Sequence, residues 1–585
     1  MSFIARPATS ATDESIRSDG FVSTARYKLA QLGQTHGCRP LADWSVTIKG
    51  NEYNAFSVLT SVPMLAAAAS ASMLRDRPLA DLAYSDAADS DGCWFKREYL
   101  ATLLQKDIRA GLPNLPPPRT VEIDKVSYEG KIDTETLIAL WKEPVREADK
   151  KRTLTIEAGE ARMASSALAL GFGAFYSKRM SNNVMGCRPG VTLPMTLGSV
   201  RHAVNETGKK VVLMADLENF FGSVPCDRVM NHLNRDTKYR DIPELKRLLE
   251  RLIPKRGFLP QGNPLSPLLA NLYGQETIDP CLAQQGPWVR YVDDILVLYD
   301  SVEQAKRGFE VIQASALKMG LKIHTGKSAI LDLGNGQTYS FTKEAAPTRY
   351  LGVNMALEAE GLTFSLANRS IRSLHEHLRR VDKTKPPKDP HPTVTSLYKI
   401  SRSLHIVVGW LQAYGFAQFT AEQEAALTTI LSLSGLTEEG FNCRIQQFKE
   451  KFATDPDKFK HDLAGIFSYL CAADKRDNPE DFMNPMEIFN DHRMQSKMRF
   501  KEALRFPADL PWMDGRKHCH TKPRSRLAEV GSILPEHDFP APVGDALRRP
   551  HGRPELGNAA CLPVAYQYRV KERDDDDDEE VVECF

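Results

Sequence analysis

The pattern of apolar and polar positions changes character near residue 150. Before it, helical segments alternate with polar loops. The most apolar early stretch, residues 62–74 (VPMLAAAASASML), is rich in alanine and shorter than the roughly 20 residues a membrane span needs, so it predicts a buried helix. Residues 111–119 (GLPNLPPPR) carry four prolines and cannot be helix interior. From about 150 to 360, short apolar runs of strand length lie close to Gly, Asp or Pro: 211–215 (VVLMA), 295–299 (ILVLY) and 350–355 (YLGVNM). Helical spacing appears between them, over 242–253 and 301–319. Strands alternating with helices predict an α+β or α/β core. From about 363 to 505 the pattern is mostly helical, clearest over 396–416 and 421–433. Beyond residue 506 prolines multiply and periodicity fades.

The chain has 585 residues, of which 42% are hydrophobic and 26% charged, ordinary values for a globular protein of about three or four domains. The formal charge of +1 hides an asymmetry. Residues 571–585 hold nine acids (Glu572, Asp574 to Asp578, Glu579, Glu580, Glu583) against Lys571 and Arg573, so the rest of the chain is mildly basic and the tail reads as disordered. Ten cysteines without a C-x-x-C pair fit a reducing compartment. The N-terminus lacks a long apolar run of the secretory type. Together these predict a soluble, cytoplasmic protein without a membrane partner.

Three carboxylates stand where a strand meets a turn. Asp216 follows VVLMA, and Asp293 and Asp294 precede ILVLY, as acids at a hairpin tip would. Adjacent Asp residues are common in ordinary turns. They are also what phosphoryl transfer by two Mg²⁺ ions requires, since Mg²⁺ takes hard oxygen ligands from one or two carboxylates plus substrate phosphates.

The surrounding order favours the second reading. The chain runs ADLENFFGSVP (215–225), LPQGNPLSPLLANLY (259–273), YVDDILVLY (291–299), GLKIHTGK (320–327) and RYLGV (349–353). In sequence and spacing these resemble the palm motifs of reverse transcriptases, and most of all the bacterial retron, group II intron, diversity-generating and abortive-infection or other defence-associated enzymes. Arg188-Pro189-Gly190 and the segment 152–162 resemble stretches that lead into the palm and form the fingers.

The resemblance implies an α+β right-hand polymerase of fingers, palm and thumb, with a mixed N-terminal region and a helical C-terminal region. It implies that Asp216, Asp293 and Asp294, with the backbone carbonyl of Leu217, hold two Mg²⁺ ions, with Mn²⁺ as a substitute. Phe221 is implied to lie under the incoming sugar and exclude a 2′-hydroxyl, making deoxynucleotides the substrate. Gln261 and Gly262 are placed near the nucleotide and template base, on a loop stiffened by three prolines. Lys327 becomes the general acid for pyrophosphate or a phosphate clamp. Arg152 is the candidate for bidentate triphosphate contact, and Tyr350, Leu351 and Gly352 form the grip on the primer end. The basic stretch 369–388 has the charge to track a phosphate backbone.

Departures narrow the resemblance. Val292 stands where retron enzymes typically carry Ala, and no later Val-Thr-Gly signature, maturase zinc or H-N-H pattern, or RNase H acid cluster is evident. His518-Cys519-His520 lacks a second pair at finger spacing. The expected organisation is an N-terminal extension (1–145), fingers and palm (146–362), helical thumb (363–425), helical C-terminal region (426–515), a Pro-rich basic segment (516–570) and the acidic tail (571–585). The expected function is RNA-directed DNA synthesis in bacterial antiphage defence, with dNTPs, a non-coding RNA template and a DNA product. A homo-oligomer or partner protein stays open. The alternatives are a template-independent or protein-primed terminal deoxynucleotidyl transferase and, from another class, a non-catalytic RNA-binding subunit.

Overall fold

The computed structural model describes residues 21–32, 45–48, 50–73, 93–111, 115, 117–126, 128–144, 146–157, 159–177, 179–237, 243–343, 349–383, 392–440, 443 and 485–505. The acidic tail, the segment 516–570, His518-Cys519-His520 and the basic residues Lys385 and Lys388 lie outside them.

A two-stranded hairpin, β1 (Ser45–Ile48) and β2 (Asn51–Asn54), precedes α1 (Val62–Met73). The expected helix forms as alanine-rich α1, which buries Met64, Leu65, Ala66 and Ala68. With α2 (Cys93–Arg109) it packs against the chain's own core, including Leu168 and Phe172. Among the described residues no helix is long and apolar enough to cross a membrane.

β3 (Arg119–Val126) pairs antiparallel with β4 (Arg146–Ile156). The boundary expected at 145 therefore runs through a hairpin. Its connection is not a simple turn, because it contains α3 (Thr134–Lys142), capped by the Asp133 carboxylate, which accepts from the Thr136 amide at 2.8 Å.

The central sheet is antiparallel throughout, in the order β6-β7-β5-β8-β9, formed by β5 (Val211–Asp216), β6 (Trp288–Tyr291), β7 (Asp294–Tyr299), β8 (Ala329–Asp332) and β9 (Gln337–Ser340). Leu213, Ala215, Ile295 and Val297 face one core, whereas Val212, Met214, Leu296 and Leu298 face another. Both faces are thus covered. This explains why VVLMA and ILVLY are continuously apolar instead of alternating. α4 (Gly159–Ser177), α6 (Cys226–Thr237), α7 (Pro243–Leu252), α8 (Ser266–Thr277), α9 (Asp279–Gln285) and α10 (Val302–Lys318) contribute to the first core. α5 (Leu193–Thr207) lines the second.

The second core continues into a small sheet, β10 (Arg349–Tyr350), β11 (Val353–Glu358) and β12 (Gly361–Leu366). Here the predicted strand 350–355 is interrupted. Leu351 (φ 49°) and Gly352 (φ 82°) take two successive left-handed conformations, which fold the run into a two-residue hairpin turn with Tyr350 opposite Val353. The helices α11 (Asn368–Lys383), α12 (Pro392–Tyr414), α13 (Ala421–Leu433) and α14 (Pro485–Arg505) complete this body. Phe416 stacks on Phe500 with ring centroids 4.8 Å apart.

Not every cation of the basic stretch at the start of this body is available to track a phosphate backbone. Arg372 and Arg379 are buried. Arg379 binds Glu376 through two bonds of 2.7 and 2.9 Å, and Arg380 reaches the same carboxylate at 2.8 Å. An amphipathic helix turns some of its cations inward when a carboxylate at helical spacing can neutralise them.

Candidate active site

Strand pairing assembles the three acids. Asp216, the last residue of β5, lies directly opposite Asp294, the first of β7. Tyr291 pairs with Asp294 across the β6–β7 hairpin, which leaves Val292 and Asp293 as its two-residue turn. The Leu217 amide donates to the Asp293 carbonyl at 3.0 Å.

Burial pushes the Asp293 carboxyl up to about 6, and the negative charge of Asp216 adds to the effect. Asp294 is raised well above the usual carboxylate range, first by burial and then by Asp293 and Asp216. Lys327 opposes the accumulation. Its Nζ lies 3.3 Å from Asp216 Oδ1, and its charge lowers both other acids. Arg152 on β4 acts in the same sense on Asp293, and Arg369 on Asp294. Among the described residues no three His, Cys, Asp or Glu side chains close on one point as a finished metal centre does. The donor chemistry nevertheless fits Mg²⁺: hard, clustered oxygens whose mutual repulsion a divalent cation relieves, with coordination shared by substrate phosphates.

The turn that carries Asp293 is strained. Val292 has φ 62°, a conformation usually left to glycine and costing a β-branched residue about 1–3 kcal/mol. The structure that holds it is Arg290, which is fully buried. Its Nε and Nη2 bind the two oxygens of Asp279 at 2.6 and 2.9 Å, Nη2 reaches the Asn271 carbonyl at 3.3 Å, and Nη1 donates to Asn271 Oδ1 at 3.0 Å and to the Val292 carbonyl at 2.9 Å. All five guanidinium N–H groups have acceptors. Asn271 in turn donates to the Gly186 carbonyl at 2.7 Å, and Gly186 lies so close that a Cβ there would sit 2.7 Å from the Val292 nitrogen. Neither Arg290 nor Asp279 stood out in the sequence. The available signal was a charged residue inside an otherwise strand-like apolar run.

The remaining candidates surround this turn. Phe220 is buried in the core, whereas Phe221 opens a short 3₁₀ turn, is only half-buried and tilts against Phe220. The Gln261 carbonyl accepts from the Thr155 amide at 2.7 Å. At Gly262 φ is 106°, and a Cβ would meet the Thr155 carbonyl at 2.6 Å; only glycine lets the loop touch β4 there. Gln261 and Gly262 are thereby fixed to the strand that carries Arg152. A second tie was not anticipated. The Glu157 carboxylate accepts from Asn263 at 2.7 Å and from Ser165 at 3.0 Å, and burial raises it to about 7. Arg188 is buried and donates to the Val184 carbonyl at 2.8 Å and to the Ser177 carbonyl. It is a structural brace ahead of the sheet.

Tyr350 is buried, and its hydroxyl has no hydrogen-bond partner among the described residues. Burial first, and the charge of Asp294 second, push it well above the normal tyrosine range. The Gly352 carbonyl accepts from Ser370 Oγ at 2.8 Å and from the Ala367 amide at 3.1 Å, so the Tyr350–Gly352 turn is bonded to the start of α11.

Residues 142–355 match the family model described as reverse transcriptase (RNA-dependent DNA polymerase). The chain contains a reverse transcriptase domain. This domain encloses β4, the central sheet, the three acids and the Tyr350–Gly352 turn, and its presence supports a nucleic-acid polymerase of reverse transcriptase type, a nucleotidyltransferase. Among solved structures, the "Sicinivirus 3Dpol RNA dependent RNA polymerase" overlays 56% of this chain and 71% of its own, at 12% identity and a TM-score of 0.29. That overlay is too loose to bear on the reverse transcriptase domain.

Proposed function

We propose that this protein is an RNA-directed DNA polymerase that adds deoxynucleotides to a 3′-hydroxyl, with Asp216, Asp293, Asp294 and the Leu217 carbonyl holding two Mg²⁺ ions. The observation that carries this reading is the register of β5 on β7, which sets Asp216 opposite Asp294 with Asp293 at the adjoining turn, inside a reverse transcriptase domain. When bound, such ions activate the attacking hydroxyl and neutralise the leaving pyrophosphate.

The chain's own groups do the rest. Lys327, 3.3 Å from Asp216, is exposed enough to swing toward a leaving phosphate and deliver a proton or hold its charge. Arg152 offers a planar fork to the triphosphate. Phe221 blocks the 2′ position of the incoming sugar, while Gln261 and Gly262 present backbone to the nascent base pair. The Tyr350–Gly352 turn holds the primer terminus. In the cell we assign the enzyme to bacterial antiphage defence with a non-coding RNA template, a reading supported by a reverse transcriptase domain set between long regions of its own.

The test is to purify the protein from cells and sequence its bound RNA and DNA beside an Asp293→Asn/Asp294→Asn control. A discrete RNA with complementary DNA only in the wild type is the expected result. Low-complexity DNA without complementary RNA would replace this reading with an untemplated transferase. RNA without DNA in both samples would favour a binding subunit.

A further inference from the structure

The connection between β3 and β4 reaches the body that follows the reverse transcriptase domain, and it does so at one defined place. Trp141 of α3 donates to Asp382 at 3.3 Å, His375 Nε2 donates to the Leu137 carbonyl at 2.8 Å, and Thr134 contacts Thr429 at 3.0 Å. Just ahead of α3, buried Arg372 donates to the Lys131 carbonyl at 3.0 Å. Gly130 fits tightly against the same guanidinium, 3.2 Å from where a Cβ would stand. These contacts fix the loop that carries Tyr128 and Glu129.

Glu129 is delivered between two arginines. Its Oε1 accepts from Arg349 Nη2 at 2.7 Å and from Arg369 Nη1 at 3.2 Å, and Arg349 Nη1 lies 3.4 Å from Oε2. Arg369 also lies over the Tyr128 ring at 5.7 Å. Both arginines belong to the primer-terminus region: Arg349 precedes Tyr350, and Arg369 precedes Ser370, which bonds Gly352. Two planar guanidinium forks converging on one set of oxygens is phosphate-binding geometry. Here one carboxylate meets two positive charges. The side chains of Arg349, Arg369 and Glu129 are 33%, 47% and 56% exposed, so water screens the contact and its net strength is small.

We infer that Arg349 and Arg369 form a site for a backbone phosphate of the bound nucleic acid next to the primer terminus, and that Glu129 occupies it as an internal phosphate mimic until the duplex displaces the carboxylate. The inference rests on the polymerase reading for the identity of the duplex. Displacement needs only a rotation of the Glu129 side chain, because the loop is held through Arg372 and Lys131.

The experiment measures binding of a fluorescent RNA–DNA primer–template to the full-length protein by anisotropy across a salt series, without dNTPs. Glu129→Gln should tighten binding about threefold to tenfold. Glu135→Gln, which removes a neighbouring exposed acid, should change it less than about twofold. Arg369→Ala should weaken binding and lower the salt slope by about 0.9. In an Arg349→Ala/Arg369→Ala protein the gain from Glu129→Gln should vanish. Unchanged or weaker binding by Glu129→Gln, an equal gain from Glu135→Gln, or a gain that persists without the two arginines would each overturn the site. A lower KM for dNTP with unchanged duplex affinity would overturn its assignment to the strand. Primer extension by the wild type is scored alongside: its absence counts against the polymerase reading, while extension with no gain from Glu129→Gln counts against the phosphate site alone.

Discussion

Two arginine–carboxylate clusters flank the candidate active site, and they are built for opposite purposes. Arg290 and Asp279 are sealed in the core, and the guanidinium spends every donor on a fixed acceptor, the last being the carbonyl of strained Val292. Arg349, Arg369 and Glu129 lie near the surface, share one carboxylate and keep donors to spare. A buried pair cannot exchange partners without leaving a charge in low dielectric, whereas an exposed one exchanges with little loss. The first arrangement suits a turn that must not move. The second suits a surface that must release one anion to accept another.

The largest effects should fall on the acids that the rigid pair supports. Asp293→Asn or Asp294→Asn should lower DNA synthesis by at least about a thousandfold, since cation stabilisation of phosphoryl transfer is worth several kcal/mol, with the melting temperature retained. Substantial extension by either variant would detach the strained turn from catalysis.

Breaking the buried pair comes next. Arg290→Met strands the Asp279 charge and should cost roughly 3–5 kcal/mol in urea unfolding. Replacing both partners, Arg290→Met/Asp279→Leu, should recover much of that stability but not the rate of synthesis, because the Val292 carbonyl still loses its donor. Recovery of both together would reduce Arg290 to a packing residue. By contrast, Glu129→Gln should leave stability nearly unchanged.

A third comparison concerns the join between β4 and the Gln261 loop. Burial raises Glu157 from an ordinary 4.5 to about 7, so the folded protein holds a proton that the unfolded chain releases. Its contribution is most favourable below about pH 4.5 and declines as pH rises to about 7. Glu157→Gln should therefore gain stability relative to wild type between pH 5 and pH 8, by up to roughly 3 kcal/mol. Urea midpoints whose difference stays flat with pH would mean that Glu157 is ionised in the fold.

An effect confined to sugar choice is expected at Phe221. Phe221→Ala should raise ribonucleotide use relative to deoxynucleotide by about 10–200-fold, the range for one group in a pocket. Measured kcat/KM ratios that do not move would place Phe221 with Phe220 as core.

What the sequence determined by itself was the local chemistry and the elements that carry it. Apolar runs of strand length marked β5 and β7, helical spacing marked the helices near 243–252, 302–318 and 421–433, and the motif order pointed to the reverse transcriptase domain that the family model matches. These are signals of short range, set by residue type and spacing. Tertiary structure alone decided which groups separated by many residues meet. The split of 350–355 into a turn depends on two left-handed residues, only one of them glycine. The inward turn of Arg372 and Arg379, the pairing of Arg290 with Asp279, the burial that raises Glu157 and the placement of Glu129 between Arg349 and Arg369 all depend on burial and on long-range contacts. Desolvation and Coulomb energy act through space, so no spacing along the chain encodes them.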